Sequence, residues 1–217
     1  ISNMLEIKRF EFNPFGENTY IIWDSDTLEA AIIDPGMSSD AEDMVVDNFI
    51  AGKQLKLKAT LLTHIHIDHT FGVDHIKNIY HAPVMANAAD EPLAQRRQEQ
   101  ARMFHLPVSL EPLVIDRFIS EGDVLTLGDN VVVTALHAPG HSPGSLLYYI
   151  KSADVLFSGD VLFRGSIGRT DLAGGSYPQL IASIHGKLLS LPYSTKVYPG
   201  HGDATTIADE VRQNPYI

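Results

Sequence analysis

The chain has 217 residues, 44% hydrophobic and 20% charged, which is enough apolar material for an ordinary globular core. Lys and Arg number 16 against 27 Asp and Glu, a formal charge of −11; a field of that sign repels phosphate and excludes a general nucleic-acid binder or an anionic-membrane binder. Cysteine is absent, so disulfide scaffolds, thiolate metal sites and cysteine nucleophiles are excluded, and any metal must be held by His, Asp or Glu.

No apolar run reaches the roughly 20 residues that span a bilayer. Residues 1–9 lack a basic segment followed by an apolar stretch, so no signal peptide is expected and a cytoplasmic protein is the default. Three residues precede Met4, and whether they belong to the natural protein is left open. Residues 18–24 and 29–34 read as two strands joined at Asp24-Ser25-Asp26. A helix is expected over 38–49, capped by Ser38 or Ser39, with Ala41, Met44, Val45 and Phe49 at helical spacing. Residues 57–63 form the next strand, followed by a short helix over 71–80 and a strand over 82–86. The charged, Gln-rich segment 90–105 reads as an exposed helix, a lid or a subunit contact, with plain surface preferred. Strands are expected over 113–119, 124–127, 131–136, 145–150 and 155–158. A helix over 177–191, a strand over 196–198 and a terminal helix over 204–213 complete the chain. Strand blocks with helices between them suggest an α/β layered sandwich, with residues 1–217 forming a single domain.

The strongest chemical signal is His64-Ile65-His66-Ile67-Asp68-His69 at the end of an apolar strand. In extended chain His64 and His66 share a face, and a turn after them lets Asp68 and His69 approach from another side. Imidazole and carboxylate are ligands for zinc, iron or manganese, although Asp68 could instead cap the helix that follows. Later strands end in glycine-flanked polar residues: Pro139-Gly140-His141, Ser158-Gly159-Asp160 and Pro199-Gly200-His201. Glycine lets the backbone bend and approach closely there. His64, His66, Asp68, His69, His141, Asp160 and His201 are too many ligands for one four- or five-coordinate ion. They suit two, with Asp160 as the bridge, because a carboxylate has two oxygens and an imidazole offers one free nitrogen at a time. His75, His81, His105, His137 and His185 lack such a setting and are read as surface or core residues.

The run THIHIDH, then GHSPGS, SGD and GHG in that order, resembles the metallo-β-lactamase-fold hydrolases along nearly the whole chain. The resemblance implies a four-layer αββα sandwich with the site at one edge between the sheets. It implies one divalent metal on His64, His66 and His141, a second on Asp68, His69 and His201, and Asp160 between them; zinc is the expected metal, with iron or manganese as alternatives. Asp34 resembles the carboxylate that orients a ligand histidine, or is a turn residue before Pro35. In the β-lactamase branch a cysteine usually stands at the place of Asp160, whereas type II glyoxalases (hydroxyacylglutathione hydrolases) match all seven ligands. The stretch 159–168 also looks like their substrate loop. Two departures stand out: those enzymes carry a C-terminal helical domain that helps bind glutathione, not expected here, and Asp171 stands where they place an aromatic hydroxyl. Arg169 keeps the basic element and is assigned either to a substrate carboxylate or to a surface ion pair with Asp171.

The expected chemistry is therefore hydrolysis of a small-molecule thioester by a metal-bridging hydroxide, with Asp68 orienting the nucleophile and accepting a proton. A thiol with pKa near 8.5 leaves as thiolate without a dedicated acid. Two other chemistries fit the pattern. One is an iron enzyme of the persulfide dioxygenase kind, drawing on His64, His66, His141 and Asp160; the other is a lactonase.

Overall fold

The structure, a computed structural model, describes residues 4–217; the question of whether residues 1–3 are natural lies outside the described residues. The first sheet carries β1 (Leu5–Phe12), β2 (Glu17–Asp24), β3 (Glu29–Ile33), β4 (Lys56–Leu61), β5 (Val84–Ala86) and β6 (Arg117–Phe118), in that spatial order. β1, β2 and β3 pair antiparallel, and β3 to β6 pair parallel. The second sheet comprises β7 (Val124–Leu127), β8 (Val131–His137), β9 (Leu146–Ile150), β10 (Val155–Gly159), β13 (Lys196–Pro199) and β14 (Thr205–Thr206), with β10 and β13 parallel. Between β10 and β13 the small hairpin β11 (Leu162–Phe163) and β12 (Ser166–Ile167) projects from the 159–168 loop.

Side chains alternate across each strand, and both faces are covered. On β2, Tyr20 and Ile22 enter the core between the sheets, whereas Ile21 and Trp23 face outward against α1 (Asp40–Lys53) and α2 (Val73–Tyr80). The second sheet turns Leu147, Leu156 and Val197 outward onto α5 (Tyr177–Ser183), its π-helical continuation Ile184–Leu188, and α6 (Ile207–Gln213). The result is the expected four-layer αββα sandwich. Tyr20 meets Phe157 and Tyr198 of the opposite sheet edge-on, with ring centroids 5.0 and 5.7 Å apart, contacts of about 0.5–1.5 kcal/mol each beyond area burial. No helix among the described residues is long and apolar enough to cross a membrane.

Several expectations are corrected. β1 was not anticipated. Its apolar residues fall on opposite faces, Leu5 toward the inter-sheet core and Phe10 and Phe12 toward the helices, so no single-faced alternation marks it. The first helix runs to Lys53 and buries Val46 and Ile50; Met44 and Val45 are 62% and 48% exposed, so the apolar seam lies one position round from the expected one. The strand over 113–119 shrinks to Arg117–Phe118, while Leu113 is buried through its backbone bond to Ala94. The terminal helix begins at Ile207 behind β14.

The largest correction concerns segment 90–105. It forms α3 (Glu91–Gln95) and α4 (Arg97–Met103) after a 3-10 turn at Ala88–Asp90, and it is not plain surface. Asp90, Ala94, Arg97 and Ala101 are fully buried. The Arg97 guanidinium donates to the Thr70 carbonyl at 2.9 Å and to Asp74 at 2.8 Å, which ties the segment to the turn that follows the histidine cluster.

Candidate metal centre

All the sequence-predicted histidines and carboxylates sit on loops at one end of the two sheets. The first sheet delivers His64 and His66 just beyond β4, and a 3-10 turn, Ile67–His69, swings Asp68 and His69 in from the side. The second sheet delivers His141 after β8, Asp160 after β10 and His201 after β13. Bonds between the sheets hold these loops together. The Leu146 N–H donates to the Thr63 carbonyl at 2.7 Å and the Tyr148 hydroxyl to the Leu62 carbonyl at 2.7 Å. On the other flank, the Tyr20 hydroxyl donates to the Pro199 carbonyl at 2.6 Å, and the Asn18 amide bridges Pro199 and Gly202.

Three groups of potential ligand atoms result, His64/His66/His141, Asp68/His69/His201 and, between them on the buried side, Asp34/His64/His69, each with its atoms within 4.8 Å of one another; the first two match the expected ligand sets. Asp160 lies between them: Oδ1 is 3.4 Å from His69 Nε2, while Oδ2 is 3.6 Å from His141 Nε2 and 3.5 Å from His201 Nε2. Its carbon chain passes beside Gly200, where an added Cβ would collide with Asp160 Oδ1 and stand 2.8 Å from His69 Cε1. Glycine is required there for close approach.

The tautomers follow from the outer partners. His141 Nδ1 donates to the Arg169 carbonyl at 2.8 Å, His69 Nδ1 to Asp34 Oδ2 at 3.0 Å and His201 Nδ1 to the Phe15 carbonyl at 3.2 Å. The Thr63 hydroxyl gives its proton to Asp34 Oδ2 at 2.5 Å and so accepts from His64 Nδ1 at 3.0 Å. In the neutral ring each of these contacts leaves Nε2 as the nitrogen that faces inward. His141 Nε2 stands 3.1 Å from His64 Nε2 and 2.8 Å from His66 Nδ1, an arrangement of lone pairs that a shared cation relieves. Nitrogens at 2.0–2.1 Å around a tetrahedral zinc stand roughly 3.3 Å apart. His69 Nε2 and Asp160 Oδ1 are buried without a hydrogen-bond partner, as atoms awaiting a metal would be. The residues therefore fit divalent cations.

The electrostatics divide the histidines. Burial drives the His64 pKa well below its ordinary value, helped by the neighbouring histidines, and takes His66 down to about 3, so both rings are neutral and ready to ligate. Burial also opposes charge on His69, yet Asp68, Asp160 and Asp34 outweigh it and hold that pKa well above the ordinary value, so this ring gives up a proton when a cation binds. Burial works against the Asp160 carboxylate, but His69, His141 and His201 keep it ionised.

Asp34 is more than a turn residue before Pro35: Oδ1 accepts the Thr63 N–H at 2.7 Å, while Oδ2 accepts the Thr63 hydroxyl and stands 3.0 Å from His69 Nδ1. Asp68 caps no helix; its Oδ2 lies 3.1 Å from His201 Nε2. Arg169 forms a bidentate, exposed ion pair with Asp171 at 2.7 and 2.8 Å. His75 pairs with Asp47, and His137 reaches the Pro143 carbonyl. His81 and His105 take left-handed backbone positions, and none of these joins the metal-capable groups. Sequence reasoning missed Glu17, fully buried with Oε1 3.8 Å from His69 Nδ1; it heads a strand whose centre, Tyr20–Trp23, is apolar. It also missed Asp90 and Gln100.

Residues 12–201 match the profile of the Metallo-beta-lactamase superfamily. Hydroxyacylglutathione hydrolase GloC of Haemophilus influenzae is 40% identical over 215 residues, 98% of each chain. Among solved structures, BLEG-1 B3 metallo-beta-lactamase superposes with a TM-score of 0.87 at 38% identity, covering 97% of this chain and 99% of that one. TTHA1623 in a di-iron-bound form superposes with 0.84 at 37% identity, covering 97% and 100%. The chain belongs to the metallo-β-lactamase superfamily.

Proposed function

We propose that this superfamily member is a hydrolase with a two-cation centre, acting on a small thioester of the hydroxyacylglutathione type. The observation that carries the reading is the position of Asp160, whose two oxygens reach toward both ligand groups. Similarity to GloC along the full chain supports the substrate class, and the di-iron form of TTHA1623 supports a paired centre.

Two divalent cations held there would supply hydroxide at neutral pH and a Lewis acid for the acyl oxygen. The protein's own groups do the rest. Asp34 and the Arg169 and Phe15 carbonyls fix the ring orientations before substrate arrives, so no reorganisation accompanies the reaction. Asp68, 14% exposed at the side chain, faces the centre and takes the proton of the attacking water at Oδ2. The C–S bond breaks as the acyl carbon gains oxygen, and the thiol departs as thiolate because its pKa, near 8.5, asks for no general acid. Arg169 is the candidate anchor for a substrate carboxylate, on condition that it leaves Asp171.

The test is metal analysis of protein purified without added metal, paired with turnover of lactoylglutathione, a lactone and a β-lactam. The β-lactam belongs in the set because BLEG-1, similar along nearly the whole chain, is a B3 metallo-beta-lactamase; the lack of cysteine alone does not remove it. Two metals per chain with thioester cleavage is the expected result. One iron per chain with oxygen uptake on glutathione persulfide, or turnover of the lactone or β-lactam alone, overturns the reading.

A further inference from the structure

Asp90 lies outside the ligand set and is fully buried, yet it binds both loops that bring His64, His66 and His141 together. Its Oδ2 accepts the N–H of Ile65, the residue between His64 and His66, at 3.1 Å, and the hydroxyl of Ser142, next to His141, at 2.8 Å. Its Oδ1 accepts the Gly144 N–H at 2.6 Å. The partners come from the first sheet's loop and the second sheet's loop, 25 to 54 residues from Asp90 in sequence. The Gln100 side chain donates to the Ile65 carbonyl at 3.1 Å, so both polar groups of this one residue are held by the 88–103 segment. Gly144 approaches so closely that a Cβ there would stand 2.7 Å from Asp90 Cγ and 2.8 Å from Oδ1. Among the described residues, neither Asp90 nor Gln100 makes a hydrogen bond to Asp68, His69 or His201; the segment hydrogen-bonds to that loop only through Arg97 on the Thr70 carbonyl, while His69 is held by Asp34 and His201 by the Phe15 carbonyl.

We propose that Asp90, with Gln100 holding the other side of Ile65, is the positioning residue for the His64/His66/His141 group, setting the distance between the two loops and thereby the affinity of one cation site and not the other. The inference rests on the two-cation reading and adds a division of labour to it. A carboxylate accepts from three donors here, and an amide in its place presents an N–H₂ group to at least one of them. The loops then separate, and ligand atoms shift out of register at that group alone. Removing such an orienting partner typically costs 10- to 100-fold in metal affinity.

The experiment titrates zinc into metal-free wild-type and Asp90→Asn protein against a chromophoric chelator, with cobalt spectra and the ring 1H–15N resonances of the metal-free histidines as further readouts. Expected is a loss of about 10- to 100-fold in one binding step, the other step being retained. The resonances of His64, His66 and His141 should move, and those of His69 and His201 should stay. Ser142→Ala and Gln100→Ala, each removing a single contact, should move the same step by less, and they carry the test if Asp90→Asn does not fold. Equal weakening of both steps, or no change in either, overturns the role of Asp90 while the wild-type protein still binds two equivalents. Fewer than two equivalents in the wild type overturns the two-cation reading, and this inference with it.

Discussion

Asp34 Oδ2 stands 3.0 Å from His69 Nδ1 and also accepts the Thr63 hydroxyl, so one carboxylate contacts His69 directly and reaches His64 through Thr63. Asp34 has a φ of 49°, a region that Asn tolerates as well as Asp. Asp34→Asn therefore tests the charge without straining the turn. Its amide nitrogen would face donors, and the ring tautomers would loosen. Affinity at both cation sites is expected to fall about 10- to 100-fold, read by chelator competition; wild-type affinities in the variant would remove Asp34 from the orienting role.

Asp160→Ala deletes the carboxylate between the two groups. We expect the protein to purify with less than its full metal complement and thioester turnover to drop by at least about 100-fold, while far-UV circular dichroism stays native. Full activity would refute the bridging assignment.

Arg169 and Asp171 are 54% and 65% exposed at the side chain, and so exposed a pair contributes little to stability. Arg169→Gln should hence leave the Tm nearly unchanged and raise KM for a carboxylate-bearing thioester several-fold, with kcat little altered. A KM that does not move assigns Arg169 to the surface pair alone.

Asp116 gives a pH signature away from the metal centre. Lys77 donates to both its oxygens at 2.8 and 2.9 Å, and the Val84 N–H to Oδ2 at 2.9 Å. Burial would raise its pKa, but these donors prevail and hold it below the ordinary value. A folded pKa below the unfolded one, about 3.9, means the stabilisation is complete above that value and lost as pH falls through the folded pKa. The pair is partly exposed, so Asp116→Asn should cost about 1 kcal/mol at neutral pH, or roughly 2–4 °C in Tm. That deficit should shrink as pH drops from about 5 toward 3; a constant deficit across that range would exclude the carboxylate as its source.

How much of this was legible in the sequence depends on whether each cue is local. His64, His66, Asp68 and His69 announce themselves because they are nearly consecutive. His141, Asp160 and His201 were found because each sits beside a glycine at a strand end. β7 was bounded as found, Val124–Leu127, since its flanking turns are explicit. What stayed hidden depends on contacts made only after folding. Asp90 opens the charged segment expected to be plain surface, and its three donors lie far along the chain. Arg97 and Gln100 are polar residues in a charged stretch, and nothing in their neighbours foretells that helix α4 turns both inward onto backbone carbonyls. The seam of α1 was misplaced because Met44, Val45 and Val46 are adjacent and hydropathy alone does not choose between them.

The division of the ligands between the two sheets has a kinetic consequence. A chain that has ordered only its N-terminal half can offer His64, His66, Asp68 and His69, but not His141, Asp160 or His201. High-affinity cation uptake must then await the docking of the second sheet on the first. Followed in a stopped-flow refolding experiment, the metal would serve as a clock for the moment at which the two halves of the sandwich close.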